Sequence, residues 1–296
     1  MIKHKRRLII FLISGILLFY ILQGINITNL SLLLKNANYL FLMSVIPLVI
    51  AIFFIKVARL NLILKIVGIN IRFSELSKIF LIGSTYGLIT PGRVGEFGRV
   101  YYFNEDKSKT FPSLIVERLA DIFILVMLSN ITLFLLFRDI SLIFISFVAS
   151  LFLLIFTFIL INKKVAYFVL TIFKVSKDKR NEYMENLLEI LKRKHLSKIL
   201  MLTLLNFTIS FIVAFVILKS LDFSANYLLI FSLPIIILFS NIPITISGTG
   251  LREFITVYSF TQLGAVPELG FSFSLILFLT TILLPGLIGF FLILRK

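Results

Sequence analysis

The sequence contains no cysteine and few charged residues, which excludes several classes of protein at once. Without cysteine there is no disulfide, no thiolate nucleophile and no zinc–cysteine site. Charged residues make up 15% of the 296 residues and hydrophobic residues 59%, against about 25% and about 45–50% in soluble domains. So little polar surface cannot cover the core of a soluble protein of this size. The composition therefore predicts an integral membrane protein.

Motifs of several enzyme and ATPase families are also missing. There is no Gly-x-x-x-x-Gly-Lys-Ser/Thr loop, no dinucleotide-binding fingerprint and no Gly-x-Ser-x-Gly turn. The two histidines, His4 and His195, lie far apart in basic flanks. We therefore expect no ATP-driven pump in this chain, no metal site and no cofactor. The formal charge of +16 does not indicate a nucleic-acid partner, because the basic residues lie in loops between apolar runs.

Apolar runs of about 20 residues indicate membrane spans formed by helices and not by the shorter alternating strands of a barrel. Six runs are long enough to cross a hydrocarbon core of about 30 Å: Leu8–Ile25, Tyr39–Val57, Ser113–Phe137, Ile140–Ile161, Ile199–Leu218 and Leu269–Leu294. The first run follows a basic head, and we interpret it as a retained signal anchor because no small-residue cleavage site follows it.

Two further segments, Leu76–Phe103 and Tyr227–Phe260, are apolar, break at glycine and proline, and resume as helices that carry charges. The break residues are candidate hinges: Pro91, Gly92, Gly95, Pro243, Gly248 and Gly250. This pattern is typical of a re-entrant helical hairpin, although a full span followed by a surface helix is the alternative. The hairpin reading places most loop lysines and arginines on one side, which the positive-inside rule favours. We expect a plasma-membrane protein with cytoplasmic N- and C-termini.

The charged parts of the two hairpins resemble each other. Residues 89–103 align with residues 246–260 without a gap at a shift of 157 residues. From Glu96 and Glu253 onward, identical residues occupy five positions of this alignment: Glu96/Glu253, Phe97/Phe254, Val100/Val257, Tyr101/Tyr258 and Phe103/Phe260. Because three spans separate the hairpins, they enter the membrane from opposite sides. An inverted repeat follows, and we expect Arg252 to serve the outward half of the same pathway as Arg93.

The expected fold class is an all-α polytopic membrane protein, with six full spans plus two oppositely oriented re-entrant helical hairpins forming an inverted repeat. We expect one membrane domain over residues 1–296, with repeat halves 39–137 and 199–294. Residues 162–198 form the one sizeable polar stretch, which we interpret as a cytoplasmic amphipathic loop. Contact with anionic headgroups or docking of a partner protein are its two possible roles.

Charged side chains at membrane depth are functional candidates, because their burial is costly unless they are paired or hydrated. The candidate substrate-binding residues form three groups: Arg93, Glu96 and Arg99 after the first break; Glu117, Arg118 and Asp121 at the start of the third span; and Asn241, Arg252 and Glu253 around the second break. Free backbone N–H groups beside Arg93 would form a phosphate cradle. The alternative for the first group is a buried ion network. For the carboxylates of the second group, pairing with the arginines of the first group, binding of a proton or cation, and a helix-cap role are all open.

Three motifs carry a resemblance to a known family: Pro-Gly-Arg-Val-Gly-Glu-Phe-Gly-Arg (Pro91–Arg99), Val-Glu-Arg-Leu-Ala-Asp (Val116–Asp121) and Ile-Ser-Gly-Thr-Gly-Leu-Arg-Glu (Ile246–Glu253). They resemble the flippase-like transmembrane family named after the membrane part of lysylphosphatidylglycerol synthase. The resemblance covers nearly the whole chain, although the turn at residues 247–250 departs from the family's usual Gly-Gly-x-Gly. It implies movement of a phospholipid or polyprenyl-linked lipid across the membrane. The chain ends without the synthase's soluble domain, so aminoacyl transfer is not expected.

Our main interpretation is a lipid translocase, not an enzyme, in which Arg93, Arg99 and Arg252 bind the headgroup of an anionic phospholipid or polyprenyl phosphate. One alternative is a membrane-embedded transferase that acts on a lipid-linked substrate with the help of Glu96, Glu117 or Asp121. Another is a non-transporting membrane partner of a cytosolic lipid-modifying enzyme that docks on residues 162–198.

Overall fold

The computed structural model describes residues 2–137, 147, 150, 151, 162, 167, 176–222 and 224–295, with side chains from residue 12 onward apart from that of Phe137. Within these residues the chain is helical, and its one β-type pairing is an isolated antiparallel bridge. The predicted fourth span, Ile140–Ile161, lies outside the described residues except at three positions. Most of residues 162–175 of the predicted loop also lie outside them.

The described α-helices are, in chain order, α1 (Ile2–Gln23), α2 (Ile27–Lys35), α3 (Tyr39–Ile66), α4 (Phe73–Leu88), α5 (Lys107–Thr132), α6 (Lys177–Ile190), α7 (Arg193–Leu221), α8 (Leu233–Ser240), α9 (Leu251–Gln262), α10 (Pro267–Phe278) and α11 (Leu284–Leu294). Two 3₁₀ helices, Val94–Tyr102 and Tyr227–Ser232, precede α5 and α8, and π-helical turns at Leu133–Phe137 and Leu279–Leu283 extend α5 and join α10 to α11.

Four helical stretches of the described residues are long and apolar enough to cross a membrane: Tyr39–Ile66, Lys107–Leu136, Arg193–Leu221 and Pro267–Leu294. A fifth candidate arises if α1 and α2, which are bent by 88° at a short break, count as one span. The chain is therefore a multi-pass membrane protein with four or five candidate spans in its described part. The arrangement of six spans with two re-entrant hairpins stays a prediction.

The chain divides into two compact units. Unit one comprises Met1–Phe53, Phe80–Gly98 and Phe207–Lys296, and unit two comprises Phe54–Ile79 and Arg99–Asn206. The core of unit one is an apolar cluster from α3, α7, α8, α9 and α10, in which Val45, Leu233, Phe260 and Phe273 are almost fully buried.

A close helix contact in unit one depends on two glycines of α11. A Cβ atom at Gly289 would lie 2.0 Å from the carbonyl oxygen of Leu81 in α4, and Gly286 faces Ser84 and Leu88 of the same helix. The hydroxyl of Thr85 donates to the carbonyl oxygen of Gly286 at 2.8 Å. Small residues allow membrane helices to approach this closely, so the glycines bring α4 and α11 together.

Unit two contains the amphipathic helix α6, which packs against the start of α5. Tyr183, Met184, Leu187 and Ile190 form its buried stripe, at the spacing of an amphipathic helix. The rings of Tyr183 and Phe111 lie 6.5 Å apart, and burial raises the pKa of Tyr183 to about 12. The apolar face of α6 is therefore covered by the protein itself.

Candidate functional site

The two glycine- and proline-containing turns predicted from the sequence contact each other in unit one. Pro91 and Ile246 form an antiparallel bridge. The N–H of Gly92 donates to the carbonyl oxygen of Thr245 at 3.4 Å, and the N–H of Ser247 donates to that of Thr90 at 3.1 Å. We call residues 90–96 and 245–253 the turn junction. The two hydrogen bonds between its turns are reciprocal, so each turn supplies one donor and one acceptor.

The backbone of the two turns has the same shape around this bridge. Gly92 and Arg93 have φ angles of 54° and 59°, and Ser247 and Gly248 have φ angles of 51° and 78°. Left-handed conformations are unfavourable for residues with a Cβ atom, so Arg93 and Ser247 are strained positions. Consecutive left-handed residues thus follow the bridged residue in both turns.

This correspondence corrects the ungapped alignment within the turns. The bridge pairs Pro91 with Ile246, so the left-handed Arg93 corresponds to the left-handed Gly248. The second turn must then contain two additional residues before Glu253 can match Glu96. Arg252 corresponds to Gly95 in both alignments, and its role in the same pathway as Arg93 stays a prediction.

Glycines spaced by three explain why the first turn continues as a 3₁₀ helix. The period of a 3₁₀ helix places Gly95 and Gly98 on one edge. This edge faces Tyr86 of α4, and a Cβ atom at Gly95 would lie 2.2 Å from the carbonyl oxygen of Tyr86. At Gly92, a Cβ atom would lie 2.7 Å from the carbonyl oxygen of Asn241 and 2.8 Å from Cα of Pro243. The first turn therefore packs directly against the backbone of α4 and against the backbone just before the second turn.

The first turn presents a partly exposed ion pair. Arg93 Nη2 lies 2.5 Å from Glu96 Oε1, and both side chains are about one-fifth exposed. The expected cradle of free backbone N–H groups is absent from this turn. The N–H groups of residues 93–96 donate to Thr90 O, Pro91 O, Thr90 Oγ1 and Arg93 O respectively. Because the tight turn uses these donors itself, anion binding here depends on the Arg93 side chain.

The second turn carries a buried ion pair. Arg252 is 2% exposed, and its Nη2 lies 2.7 Å from Glu253 Oε1. Glu253 Oε2 also accepts the N–H of Gly250 at 2.6 Å, and the Arg252 guanidinium lies 4.5 Å above the ring of Phe278. Arg93 lies close enough to Arg252 for the two positive charges to repel each other. The two arginines thus belong to different turns, and each lies within range of the other's charge.

Asn241, another predicted binding residue, lies at the C-terminal end of α8. Its side-chain Nδ2 donates to the carbonyl oxygen of Ile237 at 2.8 Å, which closes the last turn of its own helix. Asn241 therefore approaches the turn junction with its main-chain carbonyl oxygen, which lies close to Gly92, and not with its side chain.

The remaining predicted site residues form a second cluster, in unit two. Arg59 donates to both carboxylate oxygens of Asp121, at 2.6 and 3.0 Å, and to Glu117 at 3.4 Å. Glu117 also pairs with Arg99. Arg59 Nη1 further donates to Thr203 Oγ1 at 2.8 Å. We call Arg59, Arg99, Glu117 and Asp121 the ion ladder, which ties α3, α5, α7 and the first 3₁₀ helix together.

The charge of Arg118 also lies near Asp121, together with that of Lys56. Pairing of Glu117 with Arg99 realises one of the alternatives that the sequence left open. In the ladder both carboxylates have guanidinium partners, which favours an ion network over proton binding.

Arg59 was missed by the sequence analysis, which ended the second span at Val57. The structure continues α3 to Ile66, and Arg59 is 1% exposed. A signal was present in the sequence, since no glycine or proline occurs between Pro47 and Gly68 and the residues adjacent to Arg59, Ala58 and Leu60, are apolar. A lone arginine inside an unbroken apolar helix is a candidate for a buried ion pair.

The described residues contain no group of three or more histidine, aspartate or glutamate side chains placed to hold a metal ion. A family model for the lysylphosphatidylglycerol synthase TM region matches residues 7–289 of the chain. Neither a curated protein nor a solved structure matches it.

Proposed function

Because this chain belongs to the family of the lysylphosphatidylglycerol synthase transmembrane region, we propose that it is a lipid translocase. Its cargo is an anionic phospholipid or a polyprenyl-linked lipid. It resides in the plasma membrane, with both termini in the cytoplasm. The observation that carries this proposal is the turn junction, where two bridged turns of a largely apolar chain bring the charges of Arg93 and Arg252 near each other.

Arginine at this junction suits the headgroup of an anionic lipid. A guanidinium group keeps its charge in an apolar environment and can donate two parallel hydrogen bonds to phosphate oxygens. Arg93 is partly exposed and is held by Glu96, so its orientation is fixed before the lipid arrives. The acyl or prenyl chains can remain among the surrounding apolar helices while the headgroup is bound.

The junction also provides a means of opening. Only two backbone hydrogen bonds join the turns, and a typical protein hydrogen bond contributes about 0.5–1.5 kcal/mol net. Broken helices that meet inside the membrane are a recurrent plan in transporters, where movement of one part alternates access to a central site. We propose that separation of the two turns accompanies lipid passage.

The transferase alternative finds less support. It requires a carboxylate that is available to a substrate or a proton, but Glu96, Glu117 and Asp121 each have an arginine partner. The alternative of a non-transporting partner for a cytosolic enzyme would use the region of α6. The buried stripe of this helix is covered by α5, which leaves its polar face for such a contact.

The direct test is lipid movement in proteoliposomes that contain the purified chain and a fluorescent phosphatidylglycerol. We expect Arg93→Gln to slow movement about tenfold or more, since loss of a hydrogen bond to a charged group costs about 1.5–3 kcal/mol. The matched control is Arg72→Gln, because Arg72 is an exposed arginine outside both clusters. Equal rates for the parent and Arg93→Gln would refute the proposal. Donor-dependent product formation by the purified parent would instead support the transferase.

A further inference from the structure

Several polar atoms at the turn junction are buried without a hydrogen-bond partner among the described residues. They are Thr245 Oγ1, Ser247 Oγ and Arg252 Nη1, with Arg93 Nε on the facing turn. Thr245, Ser247 and Arg252 are 0%, 1% and 2% exposed. More than nine in ten buried polar groups in proteins are hydrogen-bonded, so several unpartnered polar atoms close together in the sequence need an explanation.

The chemistry of these atoms indicates what would bind them. The guanidinium nitrogens only donate hydrogen bonds, and each hydroxyl can donate one. The neighbouring carboxylates, Glu96 and Glu253, are already paired with Arg93 and Arg252. Each hydroxyl can also accept, but the unused capacity includes the donor hydrogens of all four atoms next to two positive charges, which suits an oxyanion with several acceptor oxygens.

We propose that Thr245, Ser247 and Arg252 form a buried subsite for a phosphate group, with Arg93 on the facing turn. This inference rests on the proposed function, and it adds to the predicted Arg93 and Arg252 two residues that the sequence did not single out, Thr245 and Ser247. Thr245 and Ser247 flank the bridged residue Ile246, so the same segment would both hold the phosphate and join the two turns. Phosphate binding and junction geometry are thereby coupled.

The backbone at Ser247 makes a discriminating variant available. Ser247 has a left-handed φ of 51°, which glycine adopts without strain. Ser247→Gly removes the hydroxyl and relieves the backbone, so the folded state should lose no thermal stability. If the hydroxyl serves phosphate, binding should nevertheless weaken. A purely structural role for Ser247 would not separate the two readouts.

The experiment measures binding to the purified full chain in detergent by microscale thermophoresis. The probes are dihexanoyl phosphatidylglycerol, inorganic phosphate and dihexanoylglycerol, which lacks phosphate. We expect Ser247→Gly and Thr245→Val each to weaken phosphatidylglycerol binding about tenfold, as for a lost hydrogen bond to a charged group. Any binding of dihexanoylglycerol should be the same in the parent and in the two variants that lack the hydroxyls of Thr245 and Ser247. Ser129→Ala is the matched control, because it removes another buried and unpartnered hydroxyl, in unit two.

The outcomes separate the subsite from the proposed function. Inability of inorganic phosphate to displace the lipid would assign the subsite to a lipid headgroup, whereas displacement at similar concentrations would assign it to free phosphate. Parent-like affinity in both hydroxyl variants with loss only in Arg93→Gln would overturn the subsite and leave the translocase proposal intact. Parent-like affinity in all variants would overturn both.

Discussion

The ion ladder of unit two and the turn junction of unit one contain the same kinds of side chain. They differ in whether the terminal guanidinium nitrogens have hydrogen-bond partners. Each brings two arginines and two carboxylates together. In the ladder, both terminal nitrogens of Arg59 have partners, although its Nε has none among the described residues, and Glu117 and Asp121 each accept from an arginine. In the junction, Arg252 Nη1 has no partner among the described residues, and the Arg93–Glu96 pair is partly exposed.

This difference separates two roles for charge in an apolar protein. A network in which both terminal nitrogens of the central arginine are paired holds helices in register, and removal of one member leaves an uncompensated charge. An incomplete network retains hydrogen-bonding capacity for a ligand. The backbone agrees with this division, since the ladder arises largely from regular helices and the junction from turns with strained residues. Four substitutions test the comparison, from the largest expected effect to the smallest.

The largest effect is expected for Arg59→Leu in the ladder. The substitution leaves Asp121 and Glu117 short of a partner inside the protein, so we expect a loss of about 3–5 kcal/mol in the free energy of unfolding. Loss of the folded peak in size-exclusion chromatography after mild heating would report this change. The double variant Arg59→Leu with Asp121→Leu should recover part of the loss. If Arg59→Leu melts like the parent, the ladder has no structural role.

The next effect is expected for Gly95→Ala in the first turn. A Cβ atom there would lie 2.2 Å from the Tyr86 carbonyl oxygen, so the turn must shift, at a cost of about 1–3 kcal/mol. Gly15→Ala is the control, since a Cβ atom at Gly15 has no neighbour within 4 Å. Thermal denaturation of the two variants in the same detergent gives the comparison. Equal melting temperatures would contradict the close packing described here.

Arg93→Gln should change stability less than either variant above. Its ion pair with Glu96 is partly exposed, and pairs of this kind contribute about 0–1 kcal/mol. We therefore expect a melting temperature close to that of the parent, together with the slower lipid movement described above. A large loss of stability would place Arg93 with the ladder residues and remove the contrast between the two clusters.

The smallest effect concerns Asp106, which precedes α5 and lies outside the apolar stretch. A hydrogen bond from the Ser108 backbone N–H, with Lys179 nearby, lowers the pKa of Asp106 below its ordinary value of 3.8. A lowered pKa in the folded state adds stability above the unfolded pKa, which is lost as the pH falls through the folded value. We expect Asp106→Asn to reduce the drop in melting temperature below about pH 4 slightly. An unchanged pH profile would contradict this.

Much of the turn junction was predictable from residue types alone. Pro91, Gly92 and Gly248 marked the breaks, and charges inside apolar segments marked Arg93 and Arg252 as candidates. The spacing of Gly95 and Gly98 could also have predicted the 3₁₀ return of the first turn, because a period of three differs from that of an α-helix. These features are local, so the sequence carries them directly.

Other features depended on contacts between residues far apart in the chain. Arg59 joins Asp121 and Thr203 only because three helices pack together, and its position after Val57 made it look like a loop residue. The correspondence of Arg93 with Gly248 became visible from the bridge and the φ angles, since identical residues favour a different alignment of the turns.

The sequence by itself determined the membrane class, the helical nature of the spans and the family, because these follow from composition, apolar length and local motifs. Only the tertiary structure decided which charges neutralise each other and which keep unused hydrogen-bonding capacity. The physical reason is that pairing inside an apolar environment requires contact within about 4 Å. Such contacts depend on how helices pack, and residues distant in sequence supply both partners.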